Sequence, residues 1–193
     1  MIDALIDFYL KSHVVTLSVL FILSIYFFVI NWVFLYRYFS LSEWISKENQ
    51  SLESLLMGSN KISEFSYLSN FINASKKLTR EILDLGKYSA TKEATKGLST
   101  LSVVASTAPF IGLFGTVVSL LDTFGSLGGH GGTMALITAG VSDALVATAA
   151  GIFVAIFAYT YHEMLKRSAY ELSGLISMQS DAVLATQHNI TAE

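Results

Sequence analysis

Three stretches of this chain run so long without Lys, Arg, Asp or Glu that they constrain the fold before anything else does. The first extends from Ser12 to Tyr36, the second from Gly97 to Leu121, and the third from Ala144 to Tyr161, entered as early as Met134. A helix crosses the ~30 Å hydrocarbon core of a bilayer with roughly 20 residues. A mean hydropathy of +0.54 is high for a soluble domain and ordinary for a small membrane protein. The reading is an all-α membrane protein with three transmembrane helices, at 12–36, 99–124 and 134–162. The first window is too long in its apolar part and too poor in basic residues ahead of it for a cleavable signal, and no A-x-A site follows.

Orientation follows from the basic residues, which stay cytoplasmic. Of the 12 Lys and Arg, nine lie between the first two spans, from Arg37 to Lys96. Lys11 alone precedes the first span, Gly125–Thr133 has none, and Lys166 and Arg167 follow the third. Residues 1–11 and the 125–133 loop are therefore expected on the outer side of the membrane. Residues 37–98 and 163–193 are expected in the cytoplasm. Trp32, Tyr36, Tyr38 and Trp44 stand where an interfacial aromatic belt would place them.

The cytoplasmic segments read as helices. Leu41, Ile45, Leu52 and Leu55 fall near one face, with a stop at Gly58 and Asn60. A second pattern takes in Ile62, Phe65, Leu68, Ile72, Leu78, Ile82 and Leu85 at three- and four-residue steps. It continues without a breaker other than Gly86, so the second span reads as the upper part of one long helix. Beyond the third span, Leu165, Ala169, Leu172, Ile176, Val183 and Ile190 keep a spacing close to seven, with Glu171, Gln179 and Asp181 off that line. A helix from Met134 to about Asn189 would be roughly 80 Å long. Such amphipathic tails fit a cytoplasmic four-helix packing layer, with helices that lie on the membrane surface or dock a partner as the alternative. "GSLGGHGG", Gly125–Gly132, reads as a flexible hairpin; it lacks the Lys-Ser/Thr ending and the preceding strand of a phosphate loop.

The spans differ in kind. The first is bulky all round, as suits a lipid-facing helix. In the second, Ser102, Ser106, Pro109, Gly112, Thr116 and Ser119 make a stripe of small and polar residues, with Gly115 beside it. In the third, Ala147, Gly151 and Ala155 form a small-xxx-small ridge, with Ala144 and Thr148 on the adjacent row. Membrane helices associate through close backbone packing and a few interhelical hydrogen bonds. Three spans hardly enclose a lumen alone, so a homo-oligomeric ring with the second and third helices inward is the natural solution. Threonines bonding their own helix's carbonyls explain the stripe as packing equally well. Pro109 marks a kink that neighbouring polar groups can tolerate. Asp143 is a functional marker if it lies deep in the third span, and a harmless cap if the span begins near Ala144.

At "STAPFIGLFGT", Ser106–Thr116, and "VSDALVATAAGIFVAI", Val141–Ile156, the chain resembles the TolQ, ExbB and MotA family of proton-driven inner-membrane motors, most closely its TolQ/ExbB branch. The opening "IDALIDFYLKSHVV" fits loosely. The resemblance implies a pentamer enclosing two copies of a single-span TolR- or ExbD-like partner, whose membrane aspartate carries protons. A TolA- or TonB-like protein would receive the work. It places Thr116 and Thr148 on the proton path beside that aspartate, and matches Asp143 to an inward-facing glutamate. Two departures stand out: aspartate is one methylene shorter than glutamate, and "AIFA" puts Phe157 where many relatives have proline.

Other chemistries are poorly supplied. With no cysteine there are no disulfides, thiolate metal sites or thiol catalysis. The 4 histidines are scattered without ligand spacing, so neither a metal nor a cofactor is expected. An aspartyl intramembrane protease needs two deep aspartates, and Asp122 sits at a membrane edge. A serine version needs a Ser–His pair, and His13, His130 and His162 lie at membrane ends or in a loop. No enzyme is therefore expected, and a net charge of −3 argues for neither nucleic acid nor an acidic ligand. The rival reading is a non-conducting scaffold that anchors a periplasm-spanning partner.

Overall fold

The computed structural model describes residues 14–57, 63–64, 66–75, 79–130 and 134–192, and every regular element among them is an α-helix. In chain order these are α1 (Val14–Leu56), α2 (Tyr67–Ser75), α3 (Arg80–Ala94), α4 (Leu98–His130) and α5 (Met134–Ala192). Three of them, α1, α4 and α5, are long and apolar enough to cross a membrane. The segment before Val14, the stop at Gly58 and Asn60, the positions Ile62, Phe65 and Leu78, and residues 131–133 lie outside the described residues. The glycines after Phe124 do not end α4, which runs on to His130. Each added residue of a helix already formed brings one more main-chain hydrogen bond, and that outweighs the ~1 kcal/mol each glycine costs. The chain divides into two units, Met1–Val33 with Thr100–His162, and Phe34–Ser99 with Glu163–Glu193.

In the first unit α1, α4 and α5 pack through small residues. Ala108, Gly112, Gly115 and Ser119 of α4 are buried, as are Ala144, Ala147, Gly151 and Ala158 of α5. A Cβ added at Gly112 would lie 2.8 Å from the Ala147 carbonyl oxygen, and one at Gly151 would lie 2.6 Å from that of Ala108. Main chain meets main chain here, the close approach that lets membrane helices associate. At Gly115 an added Cβ would stand 3.1 Å from both Ala147 and Val19, so α1 joins the same layer. Thr16, Val19, Leu23 and Ile30 form the buried side of α1, while Phe21, Phe28 and Trp32 are exposed. The first helix therefore has one packed face, not a bulky surface all round.

Ser102 and Ser106, expected on the packing stripe, are exposed; Leu101, Val104 and Ala108 take the buried row. The Ser106 hydroxyl bonds back to the Val103 carbonyl at 3.0 Å, which removes any need for a neighbour. Pro109 lies inside an uninterrupted α4. Phe157 fills the space between α1 and α5: its ring is 5.7 Å from Phe27, edge-on, and 4.8 Å from Phe153. α5 continues helically through this position. Next to the rings, the Tyr161 hydroxyl donates to Asn31 Oδ1 at 3.1 Å, a polar link between α1 and α5.

In the second unit α2 packs on α3 through Gly86, whose missing Cβ would fall 2.7 Å from Leu68 Cδ2. The buried face of α3 is Leu83, Gly86, Ala90 and Ala94. Leu85, expected in the core, is 58% exposed. The small residues on the other face allow a closer approach than leucine would, so they win the contact. The expected continuous helix into the second span is broken at Thr95–Gly97, where Gly97 takes φ 85. Only glycine adopts that left-handed conformation without cost. The carbonyls freed at the end of α3 are met by Arg37, which donates to Glu93 O at 2.7 Å and Ala94 O at 2.8 Å.

Leu165, Ala169, Leu172 and Ile176 of α5 are buried as their spacing implies. Gln179, expected off that line, is fully buried. It donates to Glu48 O and Glu48 Oε2, each at 2.8 Å. Glu48 is also fully buried; its carboxylate accepts from Trp44 Nε1 at 3.1 Å, Tyr67 N at 2.8 Å and Ser66 Oγ at 3.0 Å. The bond from Tyr67 N puts the carboxylate at the N-terminus of α2, where helix geometry favours an anion. On the surface, a hydrogen bond and the charge of Lys47 hold Glu43 below the usual carboxylate range.

Candidate functional site

The polar groups of the first unit concentrate where α4 crosses α5. Thr116 comes four residues after Gly112, so both present toward α5. Thr148 comes three residues before Gly151 and looks back toward α4 in the same way. Because Gly112 and Gly151 let the two backbones nearly touch, the short threonine side chains reach across the gap. Their hydroxyls are hydrogen-bonded to each other. Thr116 Oγ1 also donates to the Ala144 carbonyl at 3.0 Å and approaches its own helix's Gly112 carbonyl at 3.3 Å. Thr148 Oγ1 reaches the Gly112 carbonyl at 3.4 Å. Both threonines are half-buried.

Local bonding alone does not account for these threonines. A threonine that only helps to pack bonds the carbonyl four residues back, as Thr160 does to Ile156 at 2.8 Å. At Thr116 the shorter carbonyl bond is the interhelical one. The arrangement offers hydroxyl oxygens, each able to donate or accept, beside main-chain carbonyls in a low-dielectric setting. Such a site can greet a carboxyl group in either protonation state. Toward His130 the polar lining continues with Ser119 and Thr123, both buried; Ser119 Oγ reaches the Gly140 carbonyl at 3.4 Å.

Asp143 is half-buried and immediately precedes Ala144. It stands five residues before Thr148, about 140° around α5, so the two do not share a face. The structure thus brings Thr116, Thr148, Gly112, Gly115, Ala147 and Gly151 together, with Pro109 about two turns from Thr116 along α4. It leaves Asp143 on a neighbouring sector. Among the described residues no cluster of three or more His, Asp or Glu could hold a metal ion.

Spacing arguments missed the Glu48–Ser66–Gln179 cluster, the Arg37 cap and the Asn31–Tyr161 link. For Glu48 the signal was present: residues 41, 45, 48, 52 and 55 step by three and four, so a carboxylate sits on the core-facing line. Arg37 had no comparable signal, because its partners are main-chain carbonyls.

Residues 40–178 match the model of the MotA/TolQ/ExbB proton channel family. The chain belongs to that family. Named relatives agree with it. A Helicobacter pylori protein named biopolymer transport protein ExbB-like 1 is 42% identical over 183 residues, covering 94% of this chain and 97% of the relative. The biopolymer transport protein ExbB of Neisseria meningitidis is 43% identical over 72 residues, 37% of this chain and 33% of its own. The Tol-Pal system protein TolQ of Pseudomonas aeruginosa is 35% identical over 92 residues, 47% and 40% of the two chains. This member of the MotA/TolQ/ExbB family is a multi-pass membrane protein.

Proposed function

We propose that this protein is the ring-forming subunit of a proton-driven motor in a bacterial inner membrane, with its amino terminus periplasmic and its carboxyl terminus cytoplasmic. In this reading five copies turn α4 and α5 toward a common axis and the outer face of α1 toward lipid. Two copies of a single-span ExbD- or TolR-like partner stand inside. Near-complete alignment with a relative named ExbB-like supports biopolymer transport of the ExbB type; in this reading the force goes to a TonB-like protein. A TolQ-like role in envelope maintenance is the neighbouring possibility within the same family.

The observation that carries the proposal is the Thr116–Thr148 hydroxyl pair, held between two helices packed backbone to backbone. A proton crossing the membrane releases roughly 2.3 kcal/mol per 100 mV from the electrical component. To turn that into motion, a carboxyl on the partner must take a proton from one side and release it to the other. A neutral carboxyl crosses an apolar wall far more readily than an ionised one. Hydroxyls repeated around the ring then set where the carboxyl pauses. Asp143, on a neighbouring sector of α5, would meet an incoming carboxyl before or after the threonines do, and a negative charge there would favour its protonation. Five subunits around two partner chains cannot match in symmetry, so each proton step can advance a rotation.

Thr148→Val preserves shape and removes the hydroxyl. Proton-driven uptake through the envelope should fall at least tenfold in cells that hold normal amounts of both proteins. Unchanged uptake would favour a non-conducting scaffold, in which threonine substitutions are silent while Gly112→Leu abolishes assembly.

A further inference from the structure

We infer that Thr116 and Thr148 act as one hydrogen-bonding unit with two alternative proton arrangements, anchored at one end by the Ala144 carbonyl and at the other by that of Gly112. The inference rests on the proton-path reading above and specifies what the site offers a partner's carboxyl group.

Counting hydrogens leads to it. Each hydroxyl has one hydrogen to give and can accept through its oxygen. Around them stand two main-chain carbonyls, each keeping a lone pair beyond the one used in its helix. In the first arrangement Thr116 donates to Ala144 O, 3.0 Å away, and Thr148 donates to Thr116 Oγ1. In the second, Thr116 donates to Thr148 Oγ1, and Thr148 donates to Gly112 O, 3.4 Å away. Both arrangements use both hydrogens, and they interconvert by rotation about two C–O bonds without moving a heavy atom.

The consequence lies in what each arrangement leaves open. The first leaves the Thr148 oxygen accepting nothing from its neighbour; the second leaves the Thr116 oxygen in that state. A protonated carboxyl can therefore donate to the pair at the α5 end or the α4 end. The hydroxyls swap direction behind it as it moves across, and neither is stranded without a partner. A single threonine bonded to its own helix offers no second place. A polar stop with two places suits a carboxyl that must be handed along a ring.

Two measurements on the assembled complex with its partner chain test this. In the first, proton-driven uptake is compared for Thr116→Val, Thr148→Val and the double variant, with co-purification of the partner as the check on assembly. Each single variant should lose as much as the double, and Thr116→Ser should recover most of what Thr116→Val loses. Losses that multiply in the double variant, or one single variant that is silent, overturn the inference. If all three variants work normally with the partner bound, the proton-path reading fails, and the inference with it. In the second, the carbonyl carbon shift of Ala144 is read by solid-state NMR. The wild-type value should fall between Thr116→Val, where the carbonyl loses its donor, and Thr148→Val, where the Thr116 hydroxyl is left with Ala144 O at 3.0 Å and the longer contact to Gly112 O at 3.3 Å. A wild-type shift equal to that of Thr148→Val means a single arrangement. That overturns the inference while leaving the proton-path reading intact.

Discussion

Gly151→Ala tests the packing that holds the site. The added Cβ would lie 2.6 Å from the Ala108 carbonyl oxygen and 3.0 Å from Gly112 Cα, all of it main chain with no side chain to yield. Ordinary carbon contacts are ~3.5–4.0 Å, so α4 and α5 must part by roughly 0.5–1 Å, and a gap of that size forfeits about a quarter to a half of each contact's attraction. Overpacking of this kind costs about 1–3 kcal/mol. The same separation takes the Thr116–Ala144 bond, now 3.0 Å, toward the limit of a useful hydrogen bond, a further ~0.5–1.5 kcal/mol. Alanine's better helix propensity returns about 1 kcal/mol. The net destabilisation is about 0.5–3.5 kcal/mol.

Gly174→Ala, in the same helix, is the control: an added Cβ there meets nothing within 4 Å. It should gain about 0.5–1 kcal/mol. Denaturant unfolding in detergent, followed by tryptophan fluorescence, should move the two midpoints in opposite directions from the wild type. If Gly151→Ala also moves upward, the backbone-on-backbone crossing is not what positions the threonines.

Two further perturbations probe the second unit. Glu48→Ala strips the acceptor from Trp44 Nε1 and Tyr67 N, while Gln179 keeps the Glu48 main-chain carbonyl and Ser66 keeps Gln179 Oε1; at ~1–3 kcal/mol for each donor left without a partner, the unit should lose about 2–6 kcal/mol. Hydrogen exchange across α2 should accelerate at least a hundredfold, while Glu48→Gln, which keeps one carbonyl oxygen, should lose less. Arg37→Ala removes both bonds to the end of α3, and the Thr95–Leu98 amides should exchange about tenfold faster, equivalent to ~1.4 kcal/mol. Arg37→Lys, a point charge without the planar fork, should recover only part of that protection.

The spans were legible in the sequence because absence of charge over twenty residues is a one-dimensional signal that needs no partner to interpret. The residues of the site were legible as types: small and hydroxyl-bearing positions at helical spacing mark an interior. Which of two adjacent rows faces inward was not. Leu101 and Ser102 stand on adjacent rows of α4, about 100° apart, and which of them turns inward depends on the neighbours packed against it. The bond between Thr116 and Thr148 depends on the register of two antiparallel helices, which no spacing within either helix encodes. Gln179 reads as lying off the apolar line because it is polar; only with Glu48, Ser66 and the start of α2 as neighbours does it make sense inside. Leu85 shows the converse, an apolar side chain left out because Gly86 and Ala90 allow a tighter fit.

The crossing of Gly112 and Gly151 also limits what can be the moving part. Two surfaces made of peptide have no rotamers to change and no flexible tips to bend aside, so sliding one past the other would mean climbing over carbonyl oxygens. These two helices form a fixed wall, like the race of a bearing. In the proposed motor, movement then falls to the partner that travels along that wall and not to this pair of helices.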